Sequence, residues 1–172
     1  LLVGHSLGGR IAIRAARNDR QIVKLVIVDA PLSGPGRPPY PSPLDRYLTA
    51  IRLARRGASL EELRPFTPTW AEEHLRVRAE WLHTCDETAI TQSHRGLQTD
   101  DILADIGALQ QEALFIVAGN GPLSAEAIDE VRRLAPAMLI RIVPNAGHMI
   151  PMEDVEGFLA AFEGFLGKRL DG

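Results

Sequence analysis

Cysteine is nearly absent from this chain: Cys85 is the single one in 172 residues. An internal disulfide is therefore excluded, and the expectation is a reducing, cytoplasmic setting. No apolar run approaches the roughly 20 residues that a membrane span requires. No positively charged start precedes an apolar stretch, so no secretory leader is read. Positive charge is not in excess: the formal net charge is −3, which argues against a nucleic-acid partner held by general electrostatics. No cluster of His, Cys, Asp or Glu shows metal-ligand spacing, and neither a metal nor another cofactor is expected. There is no internal repeat, and Gly4-x-x-x-Gly8-Gly9 lacks the G-x-G-x-x-G spacing of a dinucleotide site. What remains, with 45% hydrophobic and 24% charged residues, is an ordinary globular composition at a length that supports one sizeable core.

An initiating Met is also lacking. The first residues, Leu1-Leu2-Val3, already read as a buried central strand, and a natural amino terminus seldom opens inside one. The expectation is the carboxy-terminal part of a longer protein.

The densest signal follows at once. Gly4-His5-Ser6-Leu7-Gly8 fits G-x-S-x-G between an apolar strand (residues 1–4) and a helix-compatible run (residues 7–18). A serine at the apex of a strand–turn–helix is presented above the sheet edge. Side chains at the two flanking glycines, Gly4 and Gly8, would collide as strand and helix close up. The Leu7 N–H, at the start of the helix, is placed for a developing oxyanion. The bland alternative is a serine that only caps the helix.

Lys24-Leu25-Val26-Ile27-Val28 is a second strand, apolar enough to be covered on both faces, as in parallel sheets. Six prolines between Pro31 and Pro43 then exclude helix or central strand and suggest an ordered connector. Helical spacing resumes at Leu44–Ala54, closed by Gly57. Further helices are expected after Ser59, from Trp70 to about Thr84 capped by Thr69, and from Glu87 to about Leu97 capped by Asp86. Strands return at 113–118 and 137–143, with a helix over 123–135 between them. A loop over 144–151 and an amphipathic terminal helix carrying Val155, Phe158, Leu159, Phe162, Phe165 and Leu166 complete the chain. The organisation expected is a core over residues 1–30 and 99–172, interrupted by a helical insertion over residues 31–98.

Ser6 needs a base. Of the five histidines, His5 is expected on the opposite side of the turn, and His74, His83 and His94 lie in the insertion. His148 sits in the loop after the last strand, eased by Gly147. Ligands in parallel α/β sheets bind beyond the carboxyl ends of the strands, where both Ser6 and His148 fall. A base of this kind needs an acid to fix its tautomer. The turn after the third strand, Gly119-Asn120-Gly121-Pro122, holds none. Glu126 and Asp129 lie further on, while Asp29 directly follows the second strand and is the choice.

Gly4–Gly9, the strand ending at Asp29-Ala30-Pro31, the helical insertion and Asn145–Glu153 resemble the α/β-hydrolase superfamily in order and spacing, over the whole chain. The resemblance implies an α/β-hydrolase fold: a mostly parallel sheet with helices on both faces, a helical lid, and amino-terminal strands lying outside this chain. It implies Ser6 as nucleophile, His148 as base, Asp29 as acid and the Leu7 N–H as oxyanion donor. The family's usual acid position, after the third strand here, is the departure. A second oxyanion donor is expected from a loop outside this chain, so the chain alone is expected to turn over poorly. Residues 31–43 and Trp81–Glu87 are further similar to family members that hydrolyse small N-formyl amides carrying a carboxylate. On that likeness Arg37 and Arg46 are candidates for the substrate carboxylate, and His5, Tyr40, Trp70, His94 and Met149 are further substrate-contact candidates. General carboxylesterase, lactonase or carbon–carbon hydrolase activity, or a non-catalytic binder on the same scaffold, are the alternatives. The partner expected is a small-molecule substrate.

Overall fold

A computed structural model describes residues 1–168. The chain divides into two compact units, Leu1–Pro38 with Asp100–Gly172, and Pro39–Thr99.

The first unit is built on four parallel strands in the order β1 (Leu2–His5), β2 (Lys24–Val28), β3 (Glu112–Ala118) and β4 (Leu139–Val143). Sequential order with parallel pairing needs a crossover after each strand. α1 (Leu7–Asn18) provides the first and α7 (Ala125–Leu134) the last. The apolar runs of β2 and β3 are explained by alternation between two buried faces. Leu25, Ile27, Ala113, Phe115 and Val117 pack with residues of α1, α6 (Ile102–Gly107) and α7. Val26, Val28, Leu114, Ile116 and Ala118 pack with Phe162 and Phe165 of α9 (Val155–Leu166).

β1 pairs in parallel with β2, from Leu2 with Leu25 through His5 with Val28. β4 is shorter than expected because Ala135–Met138 form a turn, with the Met138 N–H on the Ala135 carbonyl. α6 was not anticipated. It has six residues, too few for a periodic pattern to register, and its start is set by Asp101, whose carboxylate accepts from the Leu103 and Ala104 N–H groups. Across the end of the expected loop, Ile150–Glu153 forms a single helical turn, α8, with Pro151 in its first turn, where no N–H is needed.

The second unit contains α2 (Leu44–Arg55), α3 (Leu60–Leu63) with a 3₁₀ turn at Arg64–Phe66, α4 (Glu72–Leu82) and α5 (Glu87–Thr99). Ala50, Ile51, Leu63, Leu75 and Leu82 form its core. Gly57 takes φ +76° after α2, the left-handed stop that glycine makes easy. Ser59 and Glu62 form a reciprocal capping box. α4 starts two residues later than expected, and Thr69 does not cap it. The Trp70 N–H turns back to the Thr67 carbonyl, leaving Ala71 as the first flanking residue.

Candidate active site

Three residues at the carboxyl edge of the sheet converge. Ser6 follows β1 and is held in register by its own N–H, which donates to the Val28 carbonyl at 2.8 Å. Asp29 follows β2 and donates its N–H to the Ile116 carbonyl at 2.8 Å. His148 lies beyond β4. Ser6 and Asp29 are the only non-glycine residues with positive φ among those described, at 54° and 42°. Such backbone costs on the order of 1–3 kcal/mol per residue and persists where the surroundings over-determine it. Here the strand pairing supplies that constraint, and both side chains are turned toward His148.

His148 Nδ1 is 2.7 Å from Asp29 Oδ2, and His148 Nε2 is 2.9 Å from Ser6 Oγ. A carboxylate only accepts. Nδ1–H therefore donates to Asp29, and the bare Nε2 accepts from the Ser6 hydroxyl. The Asp29 carboxylate is fully buried, and its Oδ1 accepts from the Ala118 N–H at 3.1 Å. Ser6 occupies the N-cap position of α1, but its side chain makes no capping bond to the helix. The Leu7 N–H, first in α1, has no intrahelical carbonyl to meet.

Close packing around the serine is confirmed at one of the two expected glycines. A Cβ on Gly4 would lie 2.3 Å from the Gly8 carbonyl oxygen, whereas a Cβ on Gly8 meets nothing within 4 Å. The second tight position is Gly9, where a Cβ would come within 2.8 Å of the Ala30 Cβ. The turn brings the helix axis down on Gly4 and Gly9, and Gly8 faces away.

The loop carrying His148 is tied at several points. The Gly147 N–H donates to Glu153 Oε2 at 2.6 Å. Asn120, where an acid was sought, donates its backbone N–H to the Ala146 carbonyl at 2.9 Å and its side-chain amide to the Asn145 carbonyl at 3.3 Å. β3 and the loop approach so closely that a Cβ on Gly119 would lie 2.3 Å from the Pro144 carbonyl oxygen.

His5 was expected to point away from this group and does not. Its Nε2 lies 2.8 Å from the His148 carbonyl, and the two rings are 4.9 Å apart. Burial pushes the His5 pKa below its ordinary 6.5, outweighing the opposing pull of its hydrogen bond to the His148 carbonyl.

The other candidates have other partners. The Arg37 guanidinium is ion-paired with Glu130 of α7, so its charge is already engaged. Arg46 donates to the Phe66 carbonyl at 2.7 Å. Within the second unit, the Tyr40 and Tyr47 hydroxyls are 3.0 Å apart, and His94 Nε2 meets the Ser42 carbonyl at 2.9 Å. The Trp70 ring lies 5.5 Å from the Arg78 guanidinium carbon, within cation–π range. Met149 is half-buried at the start of α8, its carbonyl taken by the Met152 N–H. Glu126 and Asp129 lie on exposed α7 positions, Asp129 paired with Arg132.

Sequence reasoning missed Arg10. It is almost fully buried in α1, and its guanidinium donates to the carbonyls of Pro31, Ser33 and Asp100 at 3.2, 2.8 and 2.9 Å. It gathers the two places where the main chain leaves and rejoins the first unit. An arginine in a helical run carries no local signal of such a role.

This sheet, elbow and histidine loop define a hydrolase fold, and the chain belongs to the alpha/beta hydrolase family, whose model matches residues 1–161. The N-formylmaleamate deformylase of Pseudomonas putida (strain KT2440) is 47% identical over 171 residues, covering 98% of this chain and 64% of that protein. The crystal structure of the N-formylmaleamic acid deformylase from Pseudomonas putida S16 matches with a TM-score of 0.88 at 46% identity, covering 93% of this chain and 64% of that one. An sn-1-specific diacylglycerol lipase of Mus musculus is 28% identical, covering 96% of this chain and 58% of that protein. The chain thus spans slightly less than two thirds of the length of these relatives.

Proposed function

We propose that the protein is a serine hydrolase that removes the formyl group from a small N-formyl amide carrying a carboxylate, of the N-formylmaleamate type, through an acyl-enzyme. The observation that carries the chemistry is the continuous hydrogen-bonded line from Ser6 Oγ through His148 to the buried Asp29. The substrate class rests on the 47% identity to a protein of that name.

In this mechanism His148 Nε2 takes the Ser6 proton as Oγ attacks the formyl carbon. Charge develops on the formyl oxygen, where the Leu7 N–H meets it. Asp29 holds the Nδ1–H tautomer and stabilises the imidazolium as it forms. His148 then returns the proton to the departing amide nitrogen as the C–N bond breaks, leaving formyl-Ser6. Water enters and gives a proton to His148 as its oxygen attacks the formyl carbon. Collapse frees formate and restores the Ser6 hydroxyl. His148 serves each step in turn, with its Nδ1 2.7 Å from Asp29 Oδ2 and its Nε2 2.9 Å from Ser6 Oγ.

The test is formate release from N-formylmaleamate by the protein as encoded, beside a panel of p-nitrophenyl esters. Formate release that Ser6→Ala abolishes is the expected result. Ester turnover without formate release would overturn the substrate class, and formate release surviving Ser6→Ala would overturn the mechanism.

A further inference from the structure

We propose that His5 is a positioning residue for this hydrolysis, holding the main chain of the base against the turn that carries the nucleophile. The inference rests on the serine-hydrolase reading above and assigns a task to a side chain that the mechanism leaves unused.

The His148 carbonyl can only accept, so the 2.8 Å contact requires a proton on His5 Nε2. His5 and Ser6 are adjacent. One tethers the backbone of His148 through its carbonyl, and the other meets the tip of the same residue's ring at 2.9 Å. The base is thereby held at two points by consecutive residues of one turn. That turn is fixed to the sheet: His5 pairs with Val28, the residue before Asp29, and the Ser6 N–H donates to the Val28 carbonyl. Nucleophile, acid and the brace on the base thus share one strand register. The bonds from Asn120 and Glu153 reach residues 145–147 of the loop, whereas His5 reaches residue 148 itself.

Burial, the largest influence, disfavours protonation of His5 against the opposing pull of its bond to the His148 carbonyl. A positive charge arising on His148, whose ring lies 4.9 Å away, disfavours it further.

A displacement of about 1 Å at a reacting group can cost on the order of 10²-fold in rate. His5→Phe keeps a ring of similar size and removes the donor. His5→Gln places an amide donor close to the Nε2 position. The experiment compares both with the parent for kcat and KM, and records the far-downfield proton resonance of the His148 Nδ1–H bonded to Asp29. Expected is a fall in kcat of about 10- to 100-fold in His5→Phe, an unchanged KM, and a lost or broadened resonance, with His5→Gln recovering most of both. If His5→Phe does not fold, His5→Asn, whose amide is too short to reach the carbonyl, takes its place. A kcat within about threefold of the parent would overturn the proposal. So would a rise in KM with an intact resonance, which marks a substrate contact, or a glutamine variant no better than phenylalanine. The resonance is read without substrate, so it tests His5 even if Ser6→Ala retains turnover and the hydrolysis reading falls.

Discussion

Replacing Asp29 by Asn tests the site at its most constrained point. The carboxylate makes two bonds in full burial, Oδ1 with the Ala118 N–H at 3.1 Å and Oδ2 with His148 Nδ1 at 2.7 Å. Asparagine has one acceptor oxygen for these two N–H donors. If its oxygen stays on Ala118, its NH₂ faces His148 and selects the tautomer with a bare Nδ1. Nε2 then carries a proton and cannot take the one on Ser6. If the amide flips, the productive tautomer survives, but a buried main-chain N–H confronts an NH₂. That arrangement costs about 1–3 kcal/mol, or roughly 5- to 150-fold in population. Both orientations also lose the charge that stabilises the imidazolium. The expected fall in kcat is therefore at least about 10²-fold and as much as about 10⁴-fold, the scale of the same change in other serine hydrolases. KM should barely move, since Asp29 is buried beneath the base. Steady-state kinetics of formate release, with circular dichroism confirming the fold, make the measurement. A folded Asp29→Asn variant with kcat within threefold of the parent would refute the assignment, and a large loss in a Glu126 or Asp129 variant would relocate the acid.

Gly4→Ala forces a Cβ to within 2.3 Å of main chain, and overpacking against backbone should cost about 3 kcal/mol or more. Gly8→Ala meets open space and should be neutral to stabilising by up to about 1 kcal/mol; thermal unfolding of the pair checks both. Arg10→Met removes a cationic donor from three main-chain carbonyls. It should cost about 2 kcal/mol or more, lowering Tm by about 4–8 °C, and an unchanged Tm would refute the clasp. Because burial lowers the His5 pKa from 6.5, the unfolded chain binds more protons between the folded value and 6.5. His5 therefore contributes fully to stability above pH 6.5, and that contribution is lost as pH falls through the folded value. The decline in Tm from about pH 7 to about pH 5 should be shallower in His5→Gln, and parallel slopes would contradict this.

The sheet and most helices were legible because their signals are local. The apolar run of β2 reflects burial on two faces, and Ser59 and Asp86 each cap the helix they precede. α6 and α8 escaped because helices of six and four residues show no period, whereas the equally short α3 is marked by its Ser59–Glu62 capping box. At the site, Ser6 stood out through its glycines and strand–helix context. His148 and Asp29 could be placed only by following strands to their carboxyl ends. The contact of His5 with the base could not be foreseen, since it joins residues 143 apart in the chain. Gly8 was misjudged because spacing from the serine does not tell which face of α1 meets the sheet. The crowded positions are Gly4, against the Gly8 and Gly9 backbone, and Gly9, against Ala30 and Ile27.

The central claim is that Ser6 is a nucleophile activated by His148. It is tested most directly by treating the protein as encoded with a fluorophosphonate and mapping the adduct by peptide mass spectrometry. A covalent adduct on Ser6, absent from Ser6→Ala and slowed by on the order of 10²-fold or more in His148→Ala, is predicted. A folded protein that leaves Ser6 unmodified, or labels it as fast without His148 as with it, would contradict the account.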